Sequence, residues 1–304
     1  RTPPMGWMSW AAFYCETDCE KFPDSCINEK LYREMADHLV KVGFLTAAYN
    51  RSHTDDCWME NLRDEKRRLI ADRKRFPSGI KNLTKYMHDR HLELGIYEGI
   101  GTKTCAGSPC SMDSIKVDAN TFASWDVDYM KMDGCYANTT FMPSARFPGG
   151  NAGLVLSMGE PAGETNPPVV YRCPTPETLP SHDEAAKRWV ACNTWRVYLD
   201  IEGSWRSIDS IIQYMDDNQD VLAAGRAPGG WNDPDILVTG LPNVTFDQAR
   251  LQMTLWPIWS SPLIMLNDLR SWKPECRNNL LNRHVTAIDQ DPLGIMGKVV
   301  RKVS

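Results

Sequence analysis

The chain has 304 residues, with 34 Lys and Arg against 39 Asp and Glu, and a formal net charge of −5 at pH 7. That balance lacks the basic patch that nucleic acid or an anionic membrane surface requires, and no apolar run is long enough to span a bilayer. Hydrophobic residues at 42% and the lack of low-complexity tracts describe a globular chain, long enough for one barrel-sized domain or two ordinary ones.

Met5-Gly-Trp7 reads as a first short strand. Ile27 to Val42 follows, with apolar residues at Ile27, Leu31, Met35, Leu39 and Val42, close to helical spacing, and Gly43 as a stop signal. The segment leading into Asp55 takes a second strand position, but Tyr49 to Thr54 is polar and carries a glycosylation sequon at Asn50. A barrel strand is buried on both faces and should be nearly all apolar. As a true strand it needs buried partners for Arg51 and His53, and the alternative is an irregular path.

Ile80 to Arg90 reads as a helix, Leu92 to Tyr97 as a strand, Asp118 to Trp125 as a helix, and Val127 to Met132 as a strand running into Asp133-Gly134. Val169 to Tyr171 and Arg196 to Leu199 are further strands, with a helix expected at Asp183 to Asn193 between them. Helices at Trp205 to Asp217 and Phe246 to Trp256 flank a strand near Trp231, and Pro262 to Leu266 is the last strand. Strands alternating with helices predict a parallel α/β fold, and eight such units predict a single (β/α)₈ barrel, the TIM-barrel architecture. A doubly wound sheet would want a Gly-rich phosphate loop after the first strand, and Gly6 lacks partners at that spacing.

Ten cysteines are many for a cytosolic protein, and no Cys-x-x-Cys pair or His cluster suggests zinc. Sequons at Asn50, Asn82, Asn138 and Asn243 point the same way, to a lysosomal or secreted protein with disulfides. No signal peptide is visible, and the Arg1-Thr-Pro-Pro opening is what a processed start would look like.

Asp55, Asp56, Asp133, Asp200, Asp233 and Asp235 all fall just beyond predicted strand ends. In a barrel those ends share one rim, so the acids are expected to converge on one pocket. Any one of them could instead cap the next helix. Eleven Trp accompany them, at least half expected to be core; the remainder, beside hydroxyl-binding acids, suit the stacking of sugar rings.

Thr2 to Trp7, Asp55 to Trp58, Leu94 to Tyr97, Lys103 to Cys105, Lys131 to Cys135, Trp195-Arg196 with Asp200, Gly229 to Asp235, Asn267 to Arg270 and Asp289 to Gly294 together resemble the α-galactosidase and α-N-acetylgalactosaminidase family, glycoside hydrolase family 27. The resemblance covers the chain from Thr2 to about Gly297 and implies a retaining exo-glycosidase without cofactor or metal, acting on terminal α-linked galactose or N-acetylgalactosamine. It implies Asp133 as nucleophile and Asp200 as general acid/base, the latter best served by a partly desolvated site. Trp10, Asp55, Asp56, Tyr97, Cys105, Lys131 and Arg196 match sugar-binding positions; Asp233 and Asp235 would either support them or serve a cap or turn around Pro234. Pro174 and Glu177 fall where the family reads the substituent on sugar carbon 2.

The same match implies disulfides Cys15–Cys57, Cys19–Cys26, Cys105–Cys135 and Cys173–Cys192, leaving Cys110 and Cys276 without counterparts. Should the polar second strand be irregular, the Cys57 disulfide would hold Asp55 and Asp56. The family usually continues into a C-terminal antiparallel β domain, of which Lys298 to Val303 would be the first strand, and it often forms homodimers. Two alternatives stand beside a hydrolase: a sugar-binding protein with weak or no turnover, and a metal-dependent barrel enzyme, although the six His show no ligand spacing.

Overall fold

The computed structural model describes residues 2–137, 170–173 and 193–302, of which 170–173 are described as backbone alone. Among them, eight parallel strands form one sheet: β1 (Met5–Met8), β2 (Arg51–His53), β3 (Glu93–Gly99), β4 (Tyr129–Asp133), β5 (Val170–Cys173), β6 (Thr194–Arg196), β7 (Trp231–Asp233) and β8 (Leu263–Met265). Neighbours in sequence are neighbours in space, and β1 pairs with both β2 and β8. Beyond β7, Leu237 bridges to Met265, its N–H donating to the Ile264 carbonyl at 2.8 Å, which closes the ring. This is the expected (β/α)₈ barrel.

The outer helices are α1 (Glu29–Lys41), α2 (Ile80–His88), α3 (Ile115–Ser124), α4 (Trp205–Asp217), α5 (Gln219–Ala224), α6 (Phe246–Ile258), α7 (Pro274–Leu280) and α8 (Arg283–Asp289). Their ends follow from local chemistry. Asn28 caps α1 by accepting the Leu31 N–H at 2.8 Å, and Thr245 with Gln248 forms a reciprocal capping box on α6. One stripe of α1, Leu31, Tyr32, Met35, Ala36 and Leu39, is buried against the barrel. Truncating one such leucine to alanine costs about 2–5 kcal/mol. The short helices α5, α7 and α8 escaped sequence reading, because two turns leave little periodicity to detect.

One open alternative is decided and two expectations need correction. Residues 51–53 form a true strand, paired to both β1 and β3, despite their polarity. Arg51 pays for its place with an ion pair to Glu93 at 2.6 Å, and the buried His53 ring meets Tyr129 edge-on at 4.5 Å between centroids. Gly95 makes the room, since a Cβ there would collide with the His53 ring. The strand expected at Arg196–Leu199 instead occupies Thr194–Arg196, and the chain bends away at Tyr198 and Leu199. Residues 298–302 form no strand; the Val299 N–H donates to the Gln219 side chain at 2.7 Å, so this segment lies along α5 instead of in a sheet.

At the N-terminal rim the two ends of the barrel are stitched together. Thr2 Oγ1 donates to Gln290 Oε1 at 2.6 Å, Gln290 donates to the Pro3 carbonyl at 2.9 Å, and the Leu263 N–H reaches the Pro4 carbonyl at 3.0 Å. The helix expected at Asp183–Asn193, apart from Asn193 itself, and the loop after Ala137 fall outside the described residues.

Candidate active site

Parallel strands place all their C-terminal ends on one rim. From β2 the chain turns straight into Asp55 and Asp56, both buried. The turn is built by the acids themselves: the Asp56 N–H donates to Asp55 Oδ1 at 2.9 Å and the Cys57 N–H to Asp56 Oδ1 at 2.7 Å. The Asp55 N–H in turn donates to Ser9 Oγ at the end of β1, at 3.2 Å.

β3 and β4 supply the opposite wall. Their register sets Tyr97 beside Lys131 and Gly99 beside Asp133. Successive side chains alternate in a strand, so Tyr97, Lys131 and Asp133 share one face. Lys131 Nζ donates to Asp55 Oδ2 at 2.6 Å and sits 5.1 Å from the centre of the Tyr97 ring. Asp133 accepts the Gly134 N–H on Oδ1 at 2.7 Å and the Tyr97 hydroxyl on Oδ2 at 3.1 Å. Burial, and then Asp133, Asp56 and Asp55, push the Tyr97 hydroxyl far above its ordinary pKa, which keeps it a neutral donor.

The β3–α3 loop closes this wall. The Ala106 N–H donates to Asp56 Oδ2 at 2.8 Å, and Cys105 Sγ lies 3.5 Å from Asp133 Oδ2. Cys105 is joined to Cys135, and Cys15 to Cys57, so two disulfides flank the acids, while Cys19–Cys26 staples the loop before α1. Burial raises the pKa of Asp56, against the hydrogen bonds it accepts from Ala106, Cys57 and Thr104. Among the described residues, Cys105, Asp133 and Cys135 alone come close enough to share a cation, but both sulfurs are committed to the disulfide.

From β6 comes Arg196, buried, which holds Asp200 Oδ1 at 2.8 Å with one amino group and Asp235 Oδ2 at 3.0 Å with the other. Asp235 also accepts the Ile201 N–H at 2.9 Å, while its own N–H donates to Asp233 Oδ1 at 2.9 Å across Pro234. Asp233 thus makes a turn contact, and Asp235 anchors the arginine. The partly desolvated setting expected for Asp200 is not found: its side chain is 88% exposed, because Leu199 and Asp200 bend out into solvent after β6. Trp10, just after β1, stands half-buried edge-on to Tyr14 at 5.3 Å. Most of the other Trp are core, Trp7, Trp58, Trp195, Trp231, Trp256 and Trp259 being buried.

Pro174, Glu177, Cys192 and Asn138 lie outside the described residues, as does the side chain of Cys173. Asn82 and Asn243 are exposed, whereas Asn50 is half-buried and donates to Glu93 at 3.4 Å. Cys110 and Cys276 are free and buried. Ser9, the Ala106 N–H and the Arg196 clamp of Asp235 were missed in the sequence. A backbone donor leaves no trace in residue identity, and Ser9 could have been found only by its place at a strand end.

A family model for melibiases, described as alpha galactosidase A, matches residues 2–291. Human alpha-galactosidase A is 42% identical over 307 residues, covering 99% of this chain and 69% of its own length. Chicken alpha-N-acetylgalactosaminidase is 41% identical over 306 residues, covering 99% of this chain and 73% of its own. Alpha-galactosidase I of Mortierella vinacea superposes with a TM-score of 0.81 at 27% identity, covering 98% of this chain and 75% of that one. On this match, carried through the whole barrel and its rim, the chain belongs to the α-galactosidase and α-N-acetylgalactosaminidase family, glycoside hydrolase family 27.

Proposed function

We propose that this chain is a retaining exo-glycosidase that removes terminal α-linked galactose or N-acetylgalactosamine from glycoconjugates. The observation that carries the reading is the setting of Asp133: a carboxylate at the end of β4, oriented by the Gly134 N–H and the Tyr97 hydroxyl, beside the Lys131–Asp55 pair. One oxygen of Asp133 attacks the anomeric carbon and forms a glycosyl ester. Asp200 protonates the departing glycosidic oxygen, then takes a proton from the water that hydrolyses the ester. Arg196 steers Asp200 at the mouth of the pocket, and the exposure of Asp200 leaves it to be desolvated by the bound substrate. Asp55 and Asp56, with Lys131, offer acceptors and a donor for ring hydroxyls, and Trp10 offers an apolar face. Pro174 and Glu177 are the proposed readers of the carbon-2 substituent.

The disulfides support an oxidising compartment, lysosomal or secreted. A homodimer is the assembly the family suggests, which sedimentation would test. Hydrolysis of p-nitrophenyl α-galactoside and p-nitrophenyl α-N-acetylgalactosaminide, side by side at mildly acidic pH, tests the function, with Asp133→Asn as control. Turnover of one or both by the native chain, lost in Asp133→Asn with the fold retained, is expected. A folded native chain that binds these sugars but turns over neither overturns the reading in favour of a sugar-binding protein.

A further inference from the structure

Alternation along β3 sends Glu98 to the face opposite Tyr97, toward α3. There Glu98 and Asp118 of α3 are both fully buried, with Ser111 of the β3–α3 loop buried between them. Arg63, from the chain between β2 and α2, grips Asp118 with both amino groups at 2.5 and 2.7 Å, and donates to the Cys110 carbonyl at 2.9 Å. Ser111 Oγ lies 2.9 Å from Asp118 Oδ2 and 3.2 Å from Glu98 Oε1.

A hydroxyl has one proton and cannot donate to two carboxylates at once. Two buried carboxylates facing one guanidinium also leave a negative charge uncompensated, which burial penalises heavily. The Cys110 thiol packed beside Glu98 stays neutral and leaves that charge count unchanged, since burial and Glu98 push it up to about 12. Both counts close in one arrangement. Asp118, held by the Arg63 fork, is the ionised acid. Glu98 carries a proton, donates it to Ser111 Oγ, and Ser111 donates its own proton to Asp118.

We infer that Glu98 is a positioning residue, kept as a neutral acid whose proton latches the β3–α3 loop onto Asp118 and Arg63. The latch lies on the loop that walls the pocket: the same loop carries the Ala106 N–H that holds Asp56 and the Cys105 sulfur against Asp133. Gly99 belongs to the same arrangement, because a Cβ there would lie 2.6 Å from Cys110 Sγ and push the loop off the strand. Burial, reinforced by the neighbouring Asp118 charge, holds the Glu98 carboxyl well above the usual Glu range, in keeping with the proton count. The native chain therefore binds a proton that the unfolded chain has released at and above the ordinary Glu value of about 4.3. Its stability falls as pH rises from there until Glu98 itself ionises, by up to about tenfold in the folding constant per pH unit. The latch stays closed while Glu98 keeps its proton, and only a pH high enough to ionise Glu98 loosens the wall of the pocket.

The consequence for the pocket rests on the glycosidase reading, whereas the protonation of Glu98 is tested without substrate. The chain labelled with 13C at the side-chain carboxyl carbon of glutamate is examined by infrared spectroscopy at about pH 6.5, where ordinary glutamates are ionised. A label-shifted carboxylic-acid carbonyl band is expected, together with its loss in Glu98→Gln and its survival in Glu93→Gln. Urea unfolding from pH 4 to 8 should show a smaller loss of stability with rising pH in Glu98→Gln than in the native chain. No acid band in the native chain, or a band removed by Glu93→Gln instead, overturns the proposal even if Glu98→Gln fails to fold.

Discussion

Replacing Lys131 by Met isolates the charge chemistry beneath the pocket. Lys131 Nζ lies 2.6 Å from Asp55 Oδ2, with the lysine side chain 16% and the aspartate side chain 3% exposed. At an effective dielectric constant of about 20, the gross attraction at that distance is about 6 kcal/mol, of which desolvation consumes a large part. Losing the cation leaves a buried carboxylate with the Asp56 N–H on one oxygen and no cation on the other. The expected cost is about 3–5 kcal/mol. Asp55→Asn should cost less, about 1–3 kcal/mol, because Lys131 keeps the Tyr97 ring and its longer stem can find water. The double variant Lys131→Met/Asp55→Asn buries no unpaired charge, so its cost should fall below the sum of the singles by at least about 2 kcal/mol. Urea unfolding at pH 7, followed by the fluorescence of the many buried Trp, measures all three. Additivity to within about 0.5 kcal/mol would refute the claim that this pair is electrostatically coupled.

Gly95→Ala should destabilise by about 1–3 kcal/mol or more, by driving a methyl into the His53 ring, and a wild-type melting temperature would show that β2 has slack that the geometry denies. Asp235→Asn removes one charge-assisted bond from Arg196, so stability should fall by about 1.5–3 kcal/mol and kcat should drop more than KM rises; steady-state kinetics with the nitrophenyl glycosides separate the two. Asp268 resists burial's upward push because the hydrogen bonds and charge of Arg270 hold its carboxyl below the usual range. Its contribution is therefore present above the ordinary Asp value and lost as pH falls through the lowered one, so Asp268→Asn should show a shallower loss of stability below about pH 4 in thermal melts.

The barrel was legible because strand and helix periods alternate along the chain, and the helix expected at Trp205–Asp217 has those bounds in the structure, where Ser204 caps it. Arg51–His53 was harder. Its polarity speaks against a buried strand, and what rescues it, Glu93 and the gap at Gly95, lies about forty residues away in sequence. At β6 the apolar run Val197-Tyr198-Leu199 misled, since Leu199 is exposed and the ladder residues are those before it. Asp55, Asp56 and Asp133 stood out as acids after strands. The Ala106 N–H, which fixes Asp56, is invisible in sequence because its role belongs to the backbone. Arg63, Glu98 and Asp118 come from three separate segments, and only folding brings two acids and one guanidinium together.

The stitching of Thr2 and Pro3 to Gln290 makes the order in which the strands are threaded a matter of covalent convenience. With Thr2 and Gln290 in hydrogen-bond contact, a peptide linker joining them, with residues 291–304 left out, would replace one loop among many, and the exposed turn at Asn243, between β7 and α6, could be opened instead. Such a circular permutant would keep every strand neighbour and both walls of the pocket. It would offer free chain ends at a new place on the molecule, for fusion to a carrier or a surface.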